Sequence, residues 1–91
     1  AMTSPLVSVI IPVFNTVSTL KRAVQSVCHQ TYSNVELILI DDSSTDGSGE
    51  LCDVLATKDS RIRTIHQPTN QGVEEARYRA IKETREIRDV L

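Results

Sequence analysis

From Pro5 to Phe14 the chain reads PLVSVIIPVF, a near-continuous aliphatic run rich in Val and Ile. Such a run suits a strand buried on both faces. The pattern then changes period. Val17, Leu20, Val24, Val27 and Cys28 fall at helical spacing, with Asn15 or Thr16 placed to cap the helix and the polar turn Tyr32-Ser33-Asn34 to end it. A second buried strand, VELILI at 35–40, follows, and after it a second helix within 43–58. That helix carries Leu51, Cys52, Leu55 and Ala56 as its apolar face, and Ser44, Thr45 or Asp46 as its cap. RIRTIHQ at 61–67 alternates charged and apolar residues, as a less buried third strand would. After the Asn70-Gln71-Gly72 turn, Val73, Ala76, Ala80, Ile81 and Ile87 recur at helical spacing.

The order is therefore β-α-β-α-β-α with short connections, which predicts an α/β fold with a parallel sheet and right-handed crossovers. Three strands are few for a sheet whose first strand is this apolar. A further strand is expected beside it, and strand 7–13, if left as an edge, would invite pairing into a homo-oligomer. Residues 1–4 read as a tail and 5–91 as one unit, the front half of a domain.

A length of 91 residues suffices for a single core that buries about 60–65% of the unfolded surface. A net charge of -2 argues against a nucleic-acid partner, which would need clustered Lys and Arg. No apolar stretch approaches the length of a membrane span, and no basic segment leads into an apolar one at the start. The expected location is the cytoplasm. Cys28 and Cys52 lie in apolar helical contexts and read as small core residues.

In open parallel sheets, ligands sit beyond the carboxyl ends of the strands. That directs attention to Pro12–Asn15, to Asp41–Ser44 and to His66–Gly72. A dinucleotide fold needs a glycine-rich turn after the first strand, and PVFNTVS has no glycine. A phosphoacceptor site would need another Asp at the end of a later strand, where this chain has His66-Gln67. Cys28, His29, Cys52 and His66 lack a zinc spacing. Base recognition remains: uracil presents an N–H between two carbonyls, and a carboxylate, which only accepts, is its natural partner. Asp41 is the expected partner; the plainer alternative is that Asp41 and Asp42 end a strand and begin an Asx-type turn.

Four stretches, VSVIIPVFN (7–15), SVCHQTY (26–32), ELILIDDSSTDGS (36–48) and NQGVEEARYRAI (70–81), resemble in order and spacing the amino-terminal half of family 2 inverting glycosyltransferases. The resemblance implies a GT-A fold, a three-layer Rossmann-like nucleotide-binding half joined to an acceptor-binding half. It implies transfer of a sugar from a nucleotide-sugar, often UDP-linked, to an acceptor hydroxyl with inversion. Carried over by position, Pro12, Val13, Phe14 and Asn15 contact base and ribose, Asp41 meets uracil N3, and Asp42 and Ser43 line the same pocket. Gly72 and Arg77 reach toward base and diphosphate; Tyr78 stands where the family commonly has Asn. The family's Asp-x-Asp motif, which holds Mn²⁺ or Mg²⁺, and its catalytic base both lie further on, so a metal is expected only in the full-length enzyme. The competing expectation is a non-catalytic α/β interaction module with the same fold.

Overall fold

The computed structural model describes residues 6–30, 34–83 and 87–90. Strand β1 (Val7–Val13) leads through α1 (Val17–Cys28) to β2 (Val35–Asp41), then through α2 (Ser48–Lys58) to β3 (Ile62–His66). Helix α3 (Val73–Glu83) leads on to β4 (Ile87–Val90). The four strands form one parallel sheet in the order β3-β2-β1-β4.

This order explains the layers. Steps from β1 to β2 and from β2 to β3 run in one direction, and right-handed crossovers put α1 and α2 on one face. The step from β3 back to β4 runs the other way and puts α3 on the opposite face. Burial follows. Val9, Ile11 and Val13 of β1 and Leu37 and Leu39 of β2 pack with Leu20, Val24 and Val27 of α1 and with Cys52 and Leu55 of α2. The alternate residues Ile10, Ile38 and Ile40 pack with Ala76 of α3. Both faces of β1 and β2 are thus apolar, which is why their sequences do not alternate.

Three expectations need correction. Strand 7–13 is not an exposed edge, because β4 pairs with it in parallel, Ser8 opposite Ile87 and Ile10 opposite Val90. A homo-oligomer through that edge loses its basis. Ile87 accordingly belongs to a strand and not to the third helix, which ends at Glu83. The caps also differ: α1 begins after Thr16, whose side chain makes no cap bond, and α2 begins after Gly47 in the left-handed conformation at φ 95°. The tail 1–4 and the Tyr32-Ser33 part of the expected polar turn lie outside the described residues.

Candidate functional site

The turns after β1 and β2 are knitted together by their own polar side chains. Asn15 takes a positive φ of 51°, and its Oδ1 accepts from the Thr45 backbone N–H at 2.8 Å. The backbone N–H groups of Asn15, Thr16 and Val17 donate to Ser44 Oγ, Ser48 Oγ and Asp46 Oδ2 at 3.1, 2.9 and 3.1 Å. Of the residues expected to cap α2, Ser44 and Asp46 thus also serve the start of α1. Asp46 also accepts from the N–H and hydroxyl of Ser48. The Ser48 hydroxyl above all, helped by the Val17 and Ser48 N–H groups, holds its carboxyl below the ordinary value. This carboxylate occupies the positive end of α1, where a dinucleotide fold would place a pyrophosphate.

Asp41 and Asp42 are both buried, at 5% and 3% exposure, and the period of two sends them to opposite faces of the sheet. Asp41 lies on the α2 side. Its Oδ1 accepts from the Ser44 N–H and its Oδ2 meets His66 Nδ1, each at 3.0 Å, while His66 Nε2 meets Asp53 Oδ1 at 2.8 Å. Burial pushes the Asp41 carboxyl up, but the bonds from Ser44 and His66 outweigh it and hold it below its ordinary value. Bonds to Asp53 and then to Asp41 raise His66 above 6.5.

Asp42 lies on the α3 side and ties the loop after β3 to the end of β2. Its Oδ1 accepts from Gln67 Nε2 and from the Gln71 N–H, both at 2.8 Å, and its Oδ2 accepts from the Gly72 N–H at 2.9 Å. Gly72 adopts φ 90°, the left-handed region that glycine enters without strain, and its carbonyl accepts the Ala76 N–H of α3.

Beside Asp42 a cleft of about 270 Å³ opens beyond the carboxyl end of β1, lined by Pro12, Val13, Phe14, Thr16, Asp42, Val73 and Ala76. Phe14 is 43% exposed at this site. The volume lies below that of drug-sized ligand pockets; it suits a single heterocyclic ring system better than a whole nucleotide-sugar.

Of the residues expected from the sequence, the fold brings Pro12, Val13, Phe14 and Asp42 together. Asp41 faces away. Asn15 and Ser43, both at positive φ, shape the turns and do not line the cleft. Gly72 is not among the lining residues but donates its N–H to Asp42, which is. Arg77 follows the lining residue Ala76; its Nη1 lies 3.4 Å from Glu74 Oε1, and its buried Nε has no partner among the described residues. The sequence does not single out Thr16, Val73 or Ala76 as site residues, nor Gln67. Val73 and Ala76 stand in the matching stretch 70–81, but as members of a helical stripe they read as core. Among the described residues no group of three or more His, Cys, Asp or Glu could hold a metal ion, and no helix is long and apolar enough to cross a membrane.

Comparison with known proteins agrees with this architecture. The family model described as "Glycosyl transferase family 2" matches residues 8–86. The chain is 44% identical over 78 residues to glycosyltransferase GlyG of Streptococcus pneumoniae, covering 86% of this chain and 26% of that protein. It is 42% identical over 81 residues to the uncharacterized glycosyltransferase EpsJ of Bacillus subtilis, covering 89% and 23%. The chain thus spans about a quarter of the length of these relatives. Among solved structures, the mannosyltransferase PcManGT of Pyrobaculum calidifontis, in complex with GDP-Man and Mn²⁺, superposes with a TM-score of 0.81 at 21% identity, over 90% of this chain and 25% of that one. TarS 1–349 of S. aureus in complex with UDP gives 0.79 at 23% identity, over 93% and 27%. These two likenesses establish the GT-A fold.

Proposed function

The chain belongs to glycosyl transferase family 2, and from that premise we propose that it binds the nucleotide of a nucleotide-sugar donor, with uracil in the cleft beside Phe14 and its N3–H donated to Asp42. The observation that carries this reading is the placement of one buried carboxylate, that of Asp42, in the wall of a mostly apolar cleft at a strand end. A base needs such a pairing: an apolar or aromatic surface for its face and one fixed polar group for its edge. A charge-assisted hydrogen bond of this kind contributes about 1.5–3 kcal/mol. Cytosine, which has no N3 proton, would leave the carboxylate facing another acceptor.

The role expected of Asp41 passes to its neighbour in this reading, because Asp41 lies on the α2 side and only Asp42 of the two lines the cleft. Arg77, on the turn of α3 beside the cleft, is the cation we assign to the diphosphate, whose oxygens suit its planar fork. The UDP and GDP-Man complexes of the structural relatives support a nucleotide ligand. In the full-length protein the reaction would be attack of an acceptor hydroxyl on the anomeric carbon, with inversion and departure of the nucleoside diphosphate. A divalent cation on that diphosphate belongs to this reading of the full-length protein, and the Mn²⁺ of the mannosyltransferase complex supports it. The metal ligands and the base that takes the hydroxyl proton would come from chain beyond these residues.

Titration of the ¹⁵N-labelled protein with UDP and with CMP tests the reading. UDP is expected to shift the amides of Phe14, Asp42 and Val73, and CMP to do so far more weakly. Shifts confined to the Asp41–His66 side, or none with any uridine nucleotide, would refute it.

A further inference from the structure

We propose that Gln67 sets the base selectivity of the cleft, by occupying an acceptor position on Asp42 that guanine would require. This rests on the nucleotide reading above and goes one step beyond it. Selectivity between these two bases matters in this fold, since one structural relative holds UDP and another GDP-Man.

A carboxylate offers about four acceptor positions, two on each oxygen. On Asp42 three are taken. Oδ1 receives two donors, the Gln67 side-chain amide and the Gln71 N–H; Oδ2 receives one, the Gly72 N–H. One position remains, on Oδ2. Uracil offers one N–H on its pairing edge and fits it. Guanine offers two adjacent donors, N1–H and the 2-amino group, which match both oxygens of a carboxylate at once, as an Arg fork does. With Oδ1 filled, one of guanine's donors enters the cleft without a partner. An unpaired buried donor weakens binding by roughly ten- to hundredfold.

Of the three donors to Asp42, the two backbone N–H groups are fixed by the chain whatever the side chains are. Gln67 is the one that mutation can remove. It is 5% exposed, and its backbone N–H donates to the Asp41 carbonyl at 2.8 Å, which anchors its position at the end of β3. Its amide thus reaches Asp42 from a rigid support, as a positioning and specificity residue.

The test is calorimetric titration with UDP and GDP of the wild-type protein, of Gln67→Leu and of Gln67→Glu, with circular dichroism as the check on folding. Wild type should favour UDP over GDP by about ten- to hundredfold. Gln67→Leu should reduce that ratio by about tenfold, because Oδ1 regains an open position; a purely structural role would weaken both nucleotides alike. Gln67→Glu covers the case in which the leucine variant does not fold. Two facing carboxylates share a proton, and the introduced carboxyl group, when protonated, donates to Asp42 as the amide did. The UDP/GDP ratio of that variant should therefore be high at pH 5.5 and fall by pH 8.5, while the wild-type ratio stays level. An unchanged ratio in folded Gln67→Leu, a pH-independent ratio in Gln67→Glu, or wild type binding GDP as tightly as UDP would each overturn the role of Gln67 and leave nucleotide binding standing. Wild type that binds neither nucleotide would remove the nucleotide reading itself, and this inference with it.

Discussion

His66 Nδ1 lies 3.0 Å from Oδ2 of Asp41, at the adjoining ends of β3 and β2. The imidazole is held on its other side by Asp53, so that one ring joins a buried carboxylate to an exposed one. His66 is raised above 6.5, so its stabilising contribution is complete below that pH and is lost as pH rises through the raised value. Asp41 is lowered from 3.8, so its contribution is complete above that pH and is lost as pH falls through the lowered value. The pair is at full strength between pH 3.8 and 6.5. The melting temperature should fall between pH 6 and 8.5, by no more than about 5 °C because the ring is partly exposed. His66→Gln should abolish the slope; an equal slope in the variant would show that other groups produce it.

Gly49, in the first turn of α2, lies against Asp41. A Cβ there would come 2.5 Å from Asp41 Oδ2 and 3.3 Å from its Cγ. Ala is the better helix former by about 1 kcal/mol, but Asp41 is pinned by Ser44 and His66 and cannot retreat without releasing one of them. Overpacking costs about 1–3 kcal/mol, and the broken contact adds to it. Gly49→Ala should therefore lower stability in urea melts, and a more stable variant would contradict the packing described.

The two adjacent aspartates should separate in function. Asp41→Asn should cost about 1–2 kcal/mol of stability through the weakened His66 bond, while the folded protein keeps its affinity for UDP. Asp42→Asn can still accept from Gln67 and Gln71 through its oxygen. Its NH₂ then faces the Gly72 N–H and the base N–H, a donor against donors. UDP affinity should drop by roughly ten- to hundredfold. Calorimetry on both variants checks this, and the reverse pattern would return the base to Asp41.

The thiols should differ in reactivity. Burial, followed by the charges of Asp41 and Asp53, pushes Cys52 up to about 12. Cys28 is half-buried, and burial and then Asp59 raise it less. In the native protein at pH 8 a thiol-disulfide reagent should modify Cys28 slowly and Cys52 only after addition of urea. Rapid modification of both would mean that α2 leaves the sheet readily.

The element order is legible because β1 and β2 are long aliphatic runs separated by clear helical stripes. The same runs hide the site. Leu37 and Leu39 on one face and Ile38 and Ile40 on the other are equally apolar, so the pattern cannot tell which of Asp41 and Asp42 looks toward α3. That choice depends on where α3 crosses, which is a property of the whole sheet. The cap residues mislead for a similar reason: Ser44 and Asp46 stand before α2 in the chain, yet in space they also hold the start of α1, as does Ser48 at the head of α2. β4 has four residues, two of them charged, and gives almost no signal of its own.

The pairing of β4 with β1 also has a consequence in time. Ser8 and Ile87 are neighbours in the sheet but lie far apart in the sequence, with two strands and three helices between them. During synthesis the β2 side of β1 can be covered early, while the other side waits until β4 has left the ribosome. Closing so long a loop is entropically slow. For that interval the nascent chain presents an aliphatic strand edge to its surroundings, and a four-residue segment with two charges is what takes it out of reach.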